Sequence, residues 1–261
     1  AGGMERVVVH LAKGLSQRSI ETMVICIQNP GELASELKSI NIRLESLGSM
    51  RSMDIKAVWL LRRLIKEFSP SIINIHDYAS TPYIISTKWL INCAPVIFTA
   101  HGLLYEGFEK LRGRYRFFSK WFSHLTAVSD QVASRHKAFL NWIGPVTIIP
   151  NGVPSIAQNV KSRSKVRDEL ECKAGDTLFL SVGNPRPEKG FEDLIDAVAI
   201  LHKKKGIKKN FQFIIAGKMI WNEYCRMLQN RLKDKGIESC CRFIGFRPDV
   251  EALYSAADVF V

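Results

Sequence analysis

Short apolar runs alternate along this chain with longer stretches whose apolar residues recur at helical spacing. The first pattern predicts buried strands, the second amphipathic helices. Met4, Val7, Val8, Leu11 and Leu15 share one helical face, and the β-branched run over 22–27 reads as a strand. A helix over 31–39 and a weakly alternating strand over 42–47 follow. Asp54 is placed to cap a helix running to Phe68, with Ile55, Val58, Leu61, Leu64 and Ile65 on one side. Pro70 stops it. A strand over 71–75 ends at His76-Asp77, a helix covers 82–91, and a strand over 95–100 ends at His101-Gly102. Next come a basic, aromatic helix over 109–123, a strand over 125–128, a helix from Ser129 to Leu140, and a strand over 146–149 closed by Pro150-Asn151-Gly152.

The polar stretch 154–161 reads as a linker, after which the pattern restarts. Strands are expected over 177–182, 211–216, 241–244 and 258–261. Helices are expected over 191–205, 222–235 (with Gly236 as its C-cap) and 248–255. Strands alternating with helices argue for α/β units, each a parallel sheet covered on both faces. The expected organisation is two Rossmann-like domains, 1–155 and 156–261. The first strand of the first domain is expected to precede Gly2, and a chain that stops on a strand leaves the second domain incomplete.

With 46% apolar residues the chain can bury a core, yet no apolar run approaches the ~20 residues of a membrane span. No signal-peptide pattern opens it, and its first residue is Ala. The net charge of +12 favours anionic partners such as nucleotide diphosphates or acidic lipid. Nucleic acid is not expected, because no recognition motif is present and the basic residues are scattered. Among the six cysteines, Cys26, Cys93, Cys172, Cys225, Cys240 and Cys241, none forms a C-x-x-C pair or a zinc-spaced cluster with His. Free thiols in a reducing compartment follow.

The stretch Ser181-Val182-Gly183-Asn184-Pro185-Arg186-Pro187-Glu188-Lys189-Gly190 joins a strand to a helix. A helix start offers unpaired N–H groups and partial positive charge, which suit a phosphate. Locally two readings stand: a diphosphate-holding loop, or an ordinary turn with two solvated cations. His76 and His101 close neighbouring strands, where ligand sites collect in open α/β sheets. On the helix over 109–123, Arg112, Arg116 and Lys120 fall on one side, with Arg114 nearby and Phe117, Phe118, Trp121 and Phe122 adjoining. That make-up suits either an interfacial helix on anionic lipid or a core-packed helix with a solvated basic face. Lys203-Lys204-Lys205 with Lys208-Lys209 reads as a solvated helix end and loop.

Several turns, taken in order, resemble the GT-B glycosyltransferases of the large family 4 group over nearly the whole chain. They are Gly2-Gly3-Met4-Glu5-Arg6, Phe98-Thr99-Ala100-His101-Gly102, Thr126-Ala127-Val128-Ser129, Ile148-Ile149-Pro150-Asn151-Gly152-Val153, the loop 182–190, Phe243-Ile244-Gly245-Phe246 and Leu253-Tyr254-Ser255-Ala256-Ala257-Asp258-Val259. The resemblance implies GT-B architecture, with two Rossmann-like domains facing a cleft. It implies a retaining, metal-independent and cofactor-free transfer of sugar from a nucleotide diphosphate sugar to a glycan or lipid-linked acceptor, in surface polysaccharide or glycolipid synthesis. By resemblance Lys189 contacts the phosphates, Gly2 and Gly3 let backbone approach them, and His101 is the catalytic-site histidine near the donor sugar. The family has an arginine where this chain has Asn184, so Arg186 is the candidate to replace it. His76 and Asn184 are candidate donor or acceptor contacts. The family's paired glutamates are expected beyond Val261, so the chain alone is expected to bind donor poorly. A cytoplasmic enzyme, peripheral on the inner membrane face through Arg112, Arg114, Arg116, Lys120 and Trp121, fits an acceptor carried on lipid. The competing class is a non-catalytic nucleotide-binding or membrane-docking module of the same fold.

Overall fold

The computed structural model describes residues 2–50, 53–91, 94–102, 104, 107–153, 160–204, 211–219 and 223–261. They form two compact units, Ala1–Pro154 and Ser155–Val261.

The first unit runs α1 (Gly3–Ser16), β1 (Met23–Cys26), α2 (Ala34–Ser39), β2 (Arg43–Ser46), α3 (Ile55–Phe68), β3 (Ile73–Ile75), α4 (Thr81–Leu90) and β4 (Val96–Ala100). A 3₁₀ turn (Phe108–Leu111) then leads into α5 (Arg112–Ser119), β5 (His124–Ala127), α6 (Asp130–Leu140) and β6 (Val146–Ile148). Every strand pair is parallel. β1 and β2 form one ladder, and β3-β4-β5-β6 form a second sheet. Two helix starts match the polar residues that precede them. The Asp54 carboxylate accepts from the N–H groups of Lys56 and Ala57, and Ser129 Oγ accepts from Val132 N–H.

Val96, Phe98 and Ala100 alternate along β4 into a core shared with Ile85, Leu125 and Leu140. The opposite face departs from the expected apolar cover. Thr99 donates to Asn74 Oδ1 at 2.8 Å and meets Thr126 Oγ1 at 2.6 Å, while Asn74 and Thr147 are exposed. This sheet therefore carries the one-face alternation usual for half-covered strands. The helix expected over 109–123 is also shorter. It begins as the 3₁₀ turn and ends at Ser119, because the chain must turn there to bring Ser123 N–H to Val96 O at 2.7 Å and start β5. Phe122, one of the aromatics for which an interfacial and a core-packed reading both stood, is buried and stacks on Phe98 at 5.3 Å.

The second unit runs α7 (Val160–Glu169), β7 (Thr177–Val182), a 3₁₀ turn (Pro187–Lys189), α8 (Phe191–Lys203), β8 (Phe211–Ala216), α9 (Glu223–Lys235), β9 (Cys241–Gly245), α10 (Val250–Ala256) and β10 (Val259–Phe260). The parallel sheet has the order β10-β7-β8-β9. It is apolar on both faces: Phe213 and Ile215 pack with Ile195 and Leu228 on one side, and Leu178, Leu180 and Ile214 with Leu253 on the other. α7 lies in a region with no expected element, beginning where the linker was read; residues 154–159 lie outside the described residues. Its Arg163 and Arg167 bond the carbonyls that end α10 and the Asp258 carboxylate, which in turn accepts from Leu178 N–H at 2.8 Å.

Cys26, Cys172, Cys225, Cys240 and Cys241 are free thiols; Cys93 lies outside the described residues. Among the described residues no helix is long and apolar enough to cross a membrane.

Candidate functional site

In the first unit, β3 and β4 lie side by side and each hands the chain to a histidine. His76 Nδ1 and His101 Nε2 stand 2.8 Å apart, with the rings stacked at 5.0 Å between centroids. Burial, and then the neighbouring His101, push the His76 pKa down to about 4; burial pushes that of His101 down as well. Near neutral pH both rings are therefore uncharged, one nitrogen donating and the other accepting. His101 Nδ1 is buried and has no partner among the described residues. The adjoining Asp77 is occupied by its own loop, accepting from Ser80 N–H at 2.7 Å.

Two residues that sequence reasoning passed over lie behind the pair. His136, on α6, is 3% exposed; its Nε2 faces Gly102 O at 2.9 Å and its Nδ1 faces the Tyr78 hydroxyl at 2.8 Å. The only sequence signal was a polar His and a Tyr at otherwise apolar positions, separated by 58 residues.

Gly2 stands at the start of α1, where its N–H donates to the Glu5 carboxylate at 2.9 Å. A Cβ on Gly2 would lie 2.7 Å from Glu5 Oε2, whereas Gly3 has open space around it. The helix start thus holds an anion of its own at the position assigned to a diphosphate.

In the second unit, three adjacent strands end in glycine. Gly183 N–H donates to Ala216 O, and Gly217 N–H donates to Gly245 O, both at 2.8 Å. A Cβ on Gly217 would fall 2.0 Å from Gly183 O, so only glycine permits this approach. Asn184 spans the same edge, its Oδ1 accepting from Lys218 N–H at 2.9 Å. Its amide oxygen is therefore a brace between two strand ends. Beyond it, the 3₁₀ turn leads to Gly190, whose φ of +65° sets the entry to α8. Arg186 and Lys189 are exposed on this turn. Arg186 lies 3.9 Å from Glu188, and Lys189 has no ion-pair partner among the described residues.

The α5 region separates the cations grouped on it. Arg112 bonds Ala138 O and Phe139 O at the end of α6, so its guanidinium serves that helix terminus. Trp121 packs at 4.9 Å from Phe117 and 5.4 Å from Trp89, and Lys120 lies over Phe117. Trp89 is 57% and Phe117 46% exposed; Arg114 (which lies over Phe118), Arg116 and Lys120 are exposed along and just after α5.

The profile of Glycosyltransferase Family 4 matches residues 1–155, and that of Glycosyl transferases group 1 matches residues 162–261. None of the curated proteins matches the chain. Among solved structures, Anabaena Alr3699/HepE in complex with UDP and glucose is 20% identical, with a TM-score of 0.81 over 99% of this chain and 70% of that one. A glycosyltransferase from Rickettsia africae ESF-5 is 17% identical, with a TM-score of 0.80 over 100% and 69%. WaaG, a glycosyltransferase involved in lipopolysaccharide biosynthesis, is 17% identical, with a TM-score of 0.69 over 99% and 70%. The architecture is GT-B, with two Rossmann-like units.

Proposed function

Because the chain belongs to glycosyltransferase family 4, we propose that it transfers a sugar from a nucleotide diphosphate sugar, with retention at the anomeric carbon and without a metal ion, to a glycan or lipid-linked acceptor. The observation that carries this reading is the glycine-closed strand ends of the second unit with exposed cations beyond them. Gly183, Gly217 and Gly245 let adjacent strand ends close on one another, and Lys189 stands exposed ahead of α8 with no ion-pair partner among the described residues. Cleavage of the glycosidic bond builds negative charge on the departing diphosphate. Lys189, Arg186 and the start of α8 are the groups that meet it. The complexes of HepE with UDP-glucose and with UDP and glucose support a uridine diphosphate donor. His101, neutral and with Nδ1 unpaired, offers a hydrogen bond to a sugar hydroxyl rather than a charge.

Transfer from UDP-glucose to a lipid-linked glycan acceptor tests the reading. Lys189→Ala is expected to cut turnover by ~10²–10³-fold while the melting temperature holds. Unchanged turnover would remove the phosphate role from this loop.

The acceptor side rests on the aromatic and basic surface formed by Trp89, Phe117, Trp121, Arg114, Arg116 and Lys120. The exposed indole of Trp89 and the half-buried one of Trp121, with the cations of α5, suit the headgroup level of an anionic bilayer, and WaaG's role in lipopolysaccharide synthesis supports a surface-glycan pathway. The reading places the enzyme in the cytoplasm, on the inner face of the membrane. Neutralising Arg114, Arg116 and Lys120 together is expected to weaken binding to phosphatidylserine vesicles by ~100-fold, at about 1 kcal/mol per charge. Equal sedimentation of wild type and triple variant would leave the surface without a lipid partner.

A further inference from the structure

The loops after β3 and β4 are joined twice. The first link is direct, His76 Nδ1 to His101 Nε2 at 2.8 Å. The second runs through α6: Tyr78 hydroxyl to His136 Nδ1 at 2.8 Å, and His136 Nε2 to Gly102 O at 2.9 Å. Tyr78 lies in the His76 loop and Gly102 directly follows His101, so both links span the same two segments. A carbonyl can only accept, so His136 carries its proton on Nε2. Its Nδ1 is then an acceptor, and the Tyr78 O–H donates to it. This fixes the tautomer of a fully buried ring from the geometry of its partners.

The bridge has little freedom. Tyr78 and His136 are 7% and 3% exposed. The Tyr78 ring is flanked by Phe98 and Tyr115, each at 4.5 Å between centroids, and lies parallel to the His136 ring. A buried hydroxyl and imidazole of this kind cost stability unless both are satisfied, and here each is. By contrast the His76–His101 pair lies closer to solvent and leaves His101 Nδ1 unpaired. The buried link is thus the more constrained of the two.

We propose that Tyr78 and His136 are positioning residues, whose bridge to Gly102 O sets the spacing of the two loops and thereby holds His76 and His101 in a single hydrogen-bonded tautomer pair. Neither touches substrate. They act by presenting His101 Nδ1 in one orientation and one protonation form. The consequence for transfer rests on the role given to His101 above, but the pairing itself does not.

Long-range ¹H–¹⁵N spectra of the imidazole rings at neutral pH test it without any donor. In the wild type, His136 is expected as the Nε2–H tautomer, and His76 and His101 each as one tautomer. Tyr78→Phe keeps the packed ring and deletes only the bridging hydroxyl. His136→Ala deletes the whole bridge. Both are expected to move the His76 and His101 ring nitrogens toward tautomer-averaged shifts. His136→Gln, whose amide can donate to Gly102 O and accept from Tyr78, is expected to restore them. Wild-type His76 and His101 shifts in folded Tyr78→Phe would overturn the proposal, as would a His136 ring protonated on Nδ1. If His136→Ala does not fold, Tyr78→Phe and His136→Gln decide the matter. A failure to bind UDP-glucose would count against the transferase reading and leave these spectra unaffected.

Discussion

At the ends of β3 and β4 the first unit presents two half-buried imidazoles; at the ends of β7, β8 and β9 the second presents three glycines, with two exposed cations beyond them. The covering layers differ in the same sense. The β3–β6 sheet has one apolar face and one mostly polar face of Asn74, Thr99, His124, Thr126 and Thr147, while the sheet of the second unit is apolar on both. Parallel topology is therefore compatible with opposite chemistry at the edge where α/β sheets collect ligands. The first unit presents neutral groups beside a buried hydrogen-bonded bridge. The second presents strand ends closed on glycine and cations held in water. On the function proposed above, a hydroxyl-bearing sugar is assigned to the former and a diphosphate to the latter.

Binding measurements on two ligands sharpen this contrast most. Lys189→Ala is expected to weaken UDP and UDP-glucose alike, by ~10–100-fold, the range for a hydrogen bond to a charged group. His101→Ala is expected to weaken UDP-glucose by only ~3–10-fold and leave UDP unchanged, as a neutral contact to the sugar alone requires. Equal losses on UDP for both variants would erase the division of labour.

Gly217→Ala probes the glycine platform without touching charge. Its methyl must displace Gly183 O, so the second unit is expected to lose ~1–3 kcal/mol in denaturant unfolding. Gly3→Ala, with open space around it, is expected to be close to neutral for stability. A neutral Gly217→Ala would show that the edge yields.

Acid separates the units more gently. His76 has its pKa lowered from 6.5 to about 4, so the unfolded chain takes up the proton first. The stability this group contributes is present above pH 6.5 and lost as pH falls toward about 4. Asp258 responds lower. Burial pushes its pKa up, but the Leu178 N–H, Arg163 and Arg167 together hold it down, from 3.8 to about 2. Its contribution is present above pH 3.8 and lost as pH falls toward about 2. Amide spectra recorded on acidification should show the first unit loosening before the second; simultaneous loss would refute that order.

The sequence carried the elements whose signals are local. Thr177–Val182 and Phe211–Ala216 are expected at their observed bounds, as mostly apolar runs with β-branched residues. The caps at Asp54 and Ser129 were legible because a cap acts within its own first turn. What was illegible depends on distant chain. α7 buries Val166 but has only one other apolar residue, Val160, and what anchors it is a pair of arginines reaching residues 89 to 95 positions away. The early end of α5 is set by the register of β5 on β4, which no helical periodicity contains. At the site, His76 and His101 could be named from their places at strand ends, but not their mutual hydrogen bond. Nor did the pattern show that Glu5 fills the start of α1, that Asn184 braces Lys218, or that Arg112 is committed to α6. Each of these follows from a partner's position rather than from the residue's type.

The seam between β10 and β7 also has a consequence in time. Asp258 N–H donates to Leu178 O, Val261 N–H donates to Leu180 O, and the Asp258 carboxylate closes on Leu178 N–H across 80 residues of sequence. Until that distant segment is synthesised, the outer edge of β7 is an unpaired ladder beside a strongly apolar strand, the kind of edge that templates wrong pairings. At ~5–20 residues per second the interval is roughly 4–16 s. A nascent chain of this protein therefore carries this unpaired edge for several seconds on the ribosome, and variants that slow elongation between β7 and β10 should aggregate more without altering a single native contact.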